Sequence, residues 1–222
     1  MLFLFSDLDG TLEDSRADMA DSVLLAREEF DLPPGVREQW IPFVNRGMDK
    51  LYEACFSEIL ASDSSLATRE KIRLTYESIY HTYIAEETVL YPGIETMLST
   101  LENHAVMALY TNKPQELSRR LLHELKISRY FQYIIGGDTF AESKPSPRPM
   151  ETIASEAGFK TGQDICFYLG DSGADKEAAD AFGAHFIWAA WGYENTAPGG
   201  TRYTADTPAR AQEIILSLGS VN

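Results

Sequence analysis

Asp7 and Asp9 stand one residue apart, directly after the apolar run Leu2-Phe3-Leu4-Phe5 and directly before Gly10-Thr11-Leu12. The run reads as a short, fully buried strand, 2–5. Folding gains nothing from bringing two carboxylates together at the end of such a strand, but chemistry can. One carboxylate can attack an electrophile and hold it covalently, while the other gives and takes protons if its surroundings keep its pKa high. An acidic surface turn would use the same residue types, yet Asp-x-Asp-Gly-Thr arises by chance at only about 10⁻⁵ per position.

Three more groups of polar residues follow apolar segments. Thr111-Asn112-Lys113 comes after 105–110. Ser143-Lys144-Pro145 comes after 133–135 and Gly136-Gly137-Asp138. Gly170-Asp171-Ser172-Gly173-Ala174-Asp175 comes after 165–169. Open parallel sheets bind ligands beyond the carboxyl ends of their strands, so these groups belong around one point. Carboxylates, a hydroxyl, an amide and a lysine together suit phosphoryl transfer through Mg²⁺, a hard ion that prefers oxygen ligands. Asp7, Asp171 and a backbone carbonyl near Asp9 could bind the ion. Lys144 and the ion would offset the crowded negative charge.

The elements that must carry these residues fall into two regimes. Between 14 and 85 the apolar spacing is helical throughout, with helices expected at 15–30, 38–45, 48–60 and 68–85. Pro33-Pro34-Gly35 and Ser62-Asp63-Ser64-Ser65 separate them as turns. From Tyr91-Pro92-Gly93 onward, strands at 105–110, 133–135, 165–169 and 185–191 alternate with helices at 95–101, 116–125, 149–157, 175–182 and 208–218. Continuous apolar strands alternating with helices imply an α/β, Rossmann-like, mostly parallel sheet covered on both faces. The first strand belongs to that sheet. The core is therefore 1–13 with 86–222, and 14–85 is an inserted α-helical cap domain.

The chain has 222 residues, 44% hydrophobic and 24% charged, as expected of a globular protein with a sizeable core. Its net charge of −15 argues against a nucleic-acid polymer or an acidic membrane surface as partner. If the substrate is anionic, local cations must overcome that field. No apolar run approaches the roughly 18 residues of a membrane span, and the opening strand leaves no room for a signal peptide. Cys55 and Cys166 lack metal-type spacing and read as reduced packing residues of a cytoplasmic protein. Monomer and homodimer are both compatible with the pattern.

The order Asp-x-Asp-Gly-Thr, Thr-Asn, Lys-Pro, Gly-Asp-x-x-x-Asp resembles the haloacid dehalogenase superfamily. The helical insertion straight after the first motif is similar to its members with a helical type-one cap, such as phosphoglycolate phosphatases. Asp14-Ser15, Tyr91-Pro92-Gly93, Asn112-Lys113-Pro114, Lys144-Pro145-Ser146-Pro147 and Ala178-Ala179 with Gly183 add to the resemblance. It implies Asp7 as nucleophile and Mg²⁺ ligand, with Asp9 as general acid/base lending its backbone carbonyl to the metal. It implies Thr111 and the backbone amides around Asn112 as holders of the phosphoryl oxygens, Lys144 as the residue that orients Asp7 and steadies the phosphate, and Asp171 as a metal ligand. Asp175 would orient metal-bound waters or Lys144. Ser6 and Glu13 depart from the family pattern, which is usually apolar at both places.

The resemblance also separates reactions. Dehalogenases of the family lack an Asp at the place of Asp9, and phosphonate-cleaving members have a small residue there. Sugar-phosphate mutases share a histidine in the first cap helix, and 15–30 holds neither His nor Lys. Mg²⁺-dependent hydrolysis of a small phosphate monoester, phosphoglycolate-like, is the reading this favours. A mutase, pyrophosphatase or 5′-nucleotidase on the same site, and a non-catalytic binding module, are the alternatives. Arg46, in the turn Asn45-Arg46-Gly47, suits a carboxylate or second phosphate at the substrate's remote end. His81 reads as interhelical packing, and Trp188, Trp191 and Tyr193 as core and edge residues.

Overall fold

The computed structural model describes residues 1–44 and 47–219. In chain order its strands are β1 (Leu2–Ser6), β2 (Glu13–Asp14), β3 (Val89–Leu90), β4 (Val106–Tyr110), β5 (Tyr133–Ile135), β6 (Ile165–Gly170), β7 (His185–Ala189) and β8 (Tyr203–Ala205). Its helices are α1 (Arg16–Glu29), α2 (Arg37–Val44), α3 (Met48–Cys55), α4 (Ser57–Ser62), α5 (Leu66–Thr82), α6 (Ile94–Leu101), α7 (Gln115–Glu124), α8 (Arg148–Glu156), α9 (Gly173–Phe182) and α10 (Pro208–Gly219). The chain divides into two compact units, 1–13 with 90–222, and 14–89.

The first unit is built on a six-stranded sheet ordered β5-β4-β1-β6-β7-β8, with every pairing parallel. β1 sits inside it because Leu2-Phe3-Leu4-Phe5 can be buried on both faces. Side chains alternate across a strand. Phe3 and Phe5 share one face with Tyr110, Cys166, Tyr168, Phe186 and Trp188, and this cluster includes Met150 and Ile153 of α8 and Ala178 and Ala179 of α9. Leu4, Met107, Phe167 and Ile187 have the opposite parity and are also buried. α9 is defined at both ends: Ser172 caps its start in a reciprocal capping box with Asp175, and Gly183 ends it in the left-handed region.

Three short strands were not legible in the sequence. β8 adds three residues at the sheet's edge, and β2 and β3 pair with each other where the chain leaves and re-enters the first unit. β7 also ends at Ala189, two residues before the expected limit.

In the second unit the segment expected as one helix, 48–60, is broken at Phe56. Phe56 is fully buried, with its ring edge-on to Phe30 at 5.8 Å. The Cys55 carbonyl, which a continuous helix would offer to Ile59, accepts instead from Arg27 Nη1, and Ile59 N bonds Phe56 O at 3.1 Å. α5 begins at Leu66, two residues before the periodic pattern, because Ser65 accepts from Thr68 N. No helix among the described residues is long and apolar enough to cross a membrane.

Candidate active site

Asp7 leaves the sheet at its middle. Its backbone N–H bonds Leu169 O at 2.9 Å, extending the pairing of β1 with β6 by one residue. As an odd-numbered position it shares the face of Phe3 and Phe5, where α9 begins. The next turn is tight: Leu8 O accepts from both Thr11 N and Leu12 N, and Gly10 has φ +79°. A Cβ on Gly10 would lie 2.5 Å from Asp171 Oδ2, so close approach as well as backbone conformation requires glycine there. Ser6 keeps its buried hydroxyl satisfied by donating to Asp7 O at 2.8 Å.

Lys144 is the cation at the centre. Its Nζ lies 2.7 Å from Asp7 Oδ1, as an ion pair, and donates to Asp175 Oδ1 at 2.7 Å. Asp175 is wholly buried and its acceptor positions are filled. Oδ1 faces Lys144 and the Tyr168 hydroxyl, and Oδ2 accepts from Ser172 N and Ser172 Oγ. Asp171 has lighter support, with Tyr193 N donating to Oδ2 at 2.7 Å and Thr11 Oγ1 lying 3.4 Å from Oδ1.

One carboxylate oxygen from each of Asp7, Asp171 and Asp175 lies within 4.8 Å of the others. Burial pushes the Asp7 carboxyl up to about 7; the Asp175 charge adds to this, and Lys144 only partly opposes it. Burial likewise raises Asp171 to about 8, reinforced by Asp175 and Asp7 and opposed by Tyr193 N–H and Lys144. Lys144 itself is raised: burial works against its charge, but Asp175 and Asp7 together outweigh it. The cluster is short of positive charge. Its hard oxygen donors, with Asp175 already spent on lysine and the helix cap, fit a divalent cation held between Asp7 and Asp171.

The second face of the site comes from the loop after β4. Thr111 is buried, and its Oγ1 accepts from Lys113 N at 3.2 Å. The backbone amides around Asn112 are the groups expected to hold phosphoryl oxygens; its side chain has a separate task. Its Oδ1 accepts from Lys144 N at 3.0 Å and its Nδ2 reaches Lys144 O at 3.4 Å, so it braces the lysine's backbone. Lys113, which the sequence reading left without a role, has a side chain only 1% exposed and places Nζ 2.7 Å from Asp9 Oδ1.

The structure thus brings Asp7, Asp9, Thr111, Asn112, Lys144, Asp171 and Asp175 to one edge of the sheet. Arg46 lies outside the described residues. The aromatic residues near β7, expected to be only core and edge, brace the site: Trp188 Nε1 donates to Asp171 O, Trp191 Nε1 donates to Thr11 O, and Tyr193 supplies its backbone N–H. One signal for this was present in the sequence. Gly192 lies between the last two, and a Cβ there would come 2.3 Å from Asp171 Cβ and 2.4 Å from Gly10 O.

Comparison with known proteins places this arrangement. The family model for haloacid dehalogenase-like hydrolases matches residues 3–189. The phosphoglycolate phosphatase of Aliivibrio fischeri is 33% identical over 195 residues, covering 86% of this chain and 85% of that protein. The phosphoglycolate phosphatase of Xanthomonas campestris pv. campestris is 35% identical over 188 residues, covering 84% and 82%. A crystal structure of a HAD-superfamily hydrolase of subfamily IA from Geobacter sulfurreducens superposes with a TM-score of 0.76 at 18% identity, covering 98% and 99%. The chain belongs to the haloacid dehalogenase-like hydrolases and is an enzyme of that family's phosphatase class.

Proposed function

We propose that the protein is a Mg²⁺-dependent phosphatase that hydrolyses a small phosphate monoester, a phosphorylated carboxylic acid of the phosphoglycolate kind, by way of an aspartyl phosphate on Asp7. The observation that carries this is the buried carboxylate of Asp7, at the end of the central strand, 2.7 Å from Lys144 and with Asp171 beside it. The curated relatives named phosphoglycolate phosphatase support the substrate class.

In this reading a carboxylate oxygen of Asp7 attacks phosphorus and the P–O bond to the alcohol breaks. Asp9 gives the departing oxygen a proton. Water then attacks the phosphoryl group, Asp9 takes its proton, and the electron pair of the Asp7–phosphorus bond returns to Asp7. Lys144 holds Asp7 in line. The Thr111 hydroxyl, whose oxygen accepts from Lys113 N, directs its hydrogen to a phosphoryl oxygen. Asp7, Asp171 and the Asp9 carbonyl would hold Mg²⁺. When bound, the ion supplies positive charge that lets an anionic phosphate approach these carboxylates.

The test is release of inorganic phosphate from a panel of phosphoglycolate, sugar phosphates, nucleoside monophosphates, pyrophosphate and p-nitrophenyl phosphate. Turnover should require Mg²⁺, be greatest on phosphoglycolate, and fall at least about 10³-fold in Asp7→Asn. Activity that survives Asp7→Asn would remove the nucleophile from this account, and isomerisation of a sugar phosphate in place of hydrolysis would favour a mutase.

A further inference from the structure

Lys113 is a buried cation for which folding offers little reward. Burying an ammonium is costly unless it is paired, and this one faces Asp9, whose side chain is 20% exposed. Its backbone is pinned on both sides. Lys113 N donates to Thr111 Oγ1, and Lys113 O accepts from Gly137 N at 2.9 Å and from Ser118 Oγ at 3.3 Å. Gly136 leaves the room this needs, since a Cβ there would lie 2.8 Å from Lys113 O and 2.3 Å from Gln115 N. The lysine therefore leaves a rigid loop in one direction.

We infer that Lys113 is a positioning residue for proton transfer, anchoring Asp9 by Oδ1 so that its carboxyl meets the ester oxygen in one orientation. The inference rests on the phosphatase reading above and deepens it by dividing labour between two lysines. Lys144 orients the group that attacks, and Lys113 orients the group that moves the proton. Asp9 leads into the turn through Gly10 and its side chain is partly exposed, so the Lys113 ion pair narrows the rotamers its carboxyl samples. A misplaced general acid loses most of its catalytic effect.

A leaving-group comparison tests this separately from structural damage. p-Nitrophenolate departs without being protonated, whereas an alkoxide needs the proton. kcat/KM reports the steps up to transfer of the phosphoryl group to Asp7, where the two esters differ. It should be measured for wild type, Lys113→Met, Asp9→Asn and the double variant, on p-nitrophenyl phosphate and on the alkyl phosphate turned over fastest. Lys113→Met should lose about 30-fold or more on the alkyl ester and less than about threefold on the aryl ester. Once Asp9 is Asn, removing Lys113 should cost less than about threefold on either ester. Equal losses on both esters, or additive losses in the double variant, would overturn the inference and make Lys113 a structural or phosphate-holding residue. If thermal melting shows that Lys113→Met does not fold, Lys113→Gln goes through the same cycle with the same criteria. A wild type that hydrolyses neither ester overturns the phosphatase reading itself, and this inference with it.

Discussion

Buried charge is handled in opposite ways in the two units. In the helical unit, Arg27 is a cation whose side chain is 4% exposed, and its needs are fully met. Nε donates to Pro33 O at 2.8 Å, Nη1 to Cys55 O, Nη2 to Glu58 Oε1 at 2.7 Å, and the guanidinium lies over the Trp40 ring at 4.6 Å. Asp18, in the same unit, is equally well served, with Glu87 N, Thr88 N and Thr88 Oγ1 donating to its carboxylate. In the first unit three buried carboxylates lie together, Lys144 pairs with two of them, Asp7 and Asp175, and Asp7 and Asp171 are pushed up to about 7 and about 8. Satisfied burial holds a fold together. Burial left short of compensating charge stores an affinity for a cation and for chemistry.

The largest test of this contrast is pH. Asp7 and Asp171 both titrate above their unfolded value of 3.8. The folded metal-free protein therefore keeps protons that the unfolded chain releases. That stabilisation is complete below about pH 4 and is lost as pH rises through about 7 and then about 8. Urea unfolding in a chelator should show stability falling by a few kcal/mol from pH 5 to pH 9. Mg²⁺ should restore more of it at pH 9 than at pH 5. A flat metal-free profile would place the two clusters on the same footing.

Arg27→Met comes next. It strands the Cys55 and Pro33 carbonyls and should cost about 3 kcal/mol in urea unfolding at any pH between 6 and 9, without altering the Mg²⁺-dependent gain in stability. A change in that gain would mean that the two clusters are coupled. Gly192→Ala should do the reverse. Its Cβ would press on Asp171, so the Mg²⁺ concentration for half-maximal activity should rise about 10- to 100-fold, with stability changing by less than the Arg27 variant's loss. An unchanged Mg²⁺ requirement would show that Asp171 is not held by that contact.

The smallest effect compares two helix caps. Ser65 caps α5 at an exposed end, and Ser65→Ala should cost about 1 kcal/mol in thermal melting, with nothing else disturbed. Ser172 caps α9 and also donates to Asp175, the partner of Lys144. Ser172→Ala should cost a similar amount of stability but also lower kcat severalfold. Equal behaviour of the two would make Ser172 a cap and nothing more.

Much of the fold was legible because it rests on local pattern. Two-sided burial of Leu2-Phe3-Leu4-Phe5 could only be an interior strand, and the strand–helix alternation after Tyr91 implied the parallel sheet. β2, β3 and β8 were not legible, since strands of two or three residues carry no period. The break at Phe56 was hidden for a different reason. It follows from Arg27, 28 residues earlier in the chain, taking the Cys55 carbonyl.

By itself, the sequence determined which chemistry was on offer, because the identity and spacing of Asp7, Asp9, Thr111, Lys144 and Asp171 follow from motif and strand order alone. Only the tertiary structure decided how those groups divide the work. Asp175 is consumed by Lys144, Tyr168 and Ser172, the Asn112 side chain braces a backbone, and Lys113 faces Asp9. Motifs record residue types along a chain. The charge a carboxylate feels, and the lone pairs it has left, depend on neighbours that only folding brings within 3 Å.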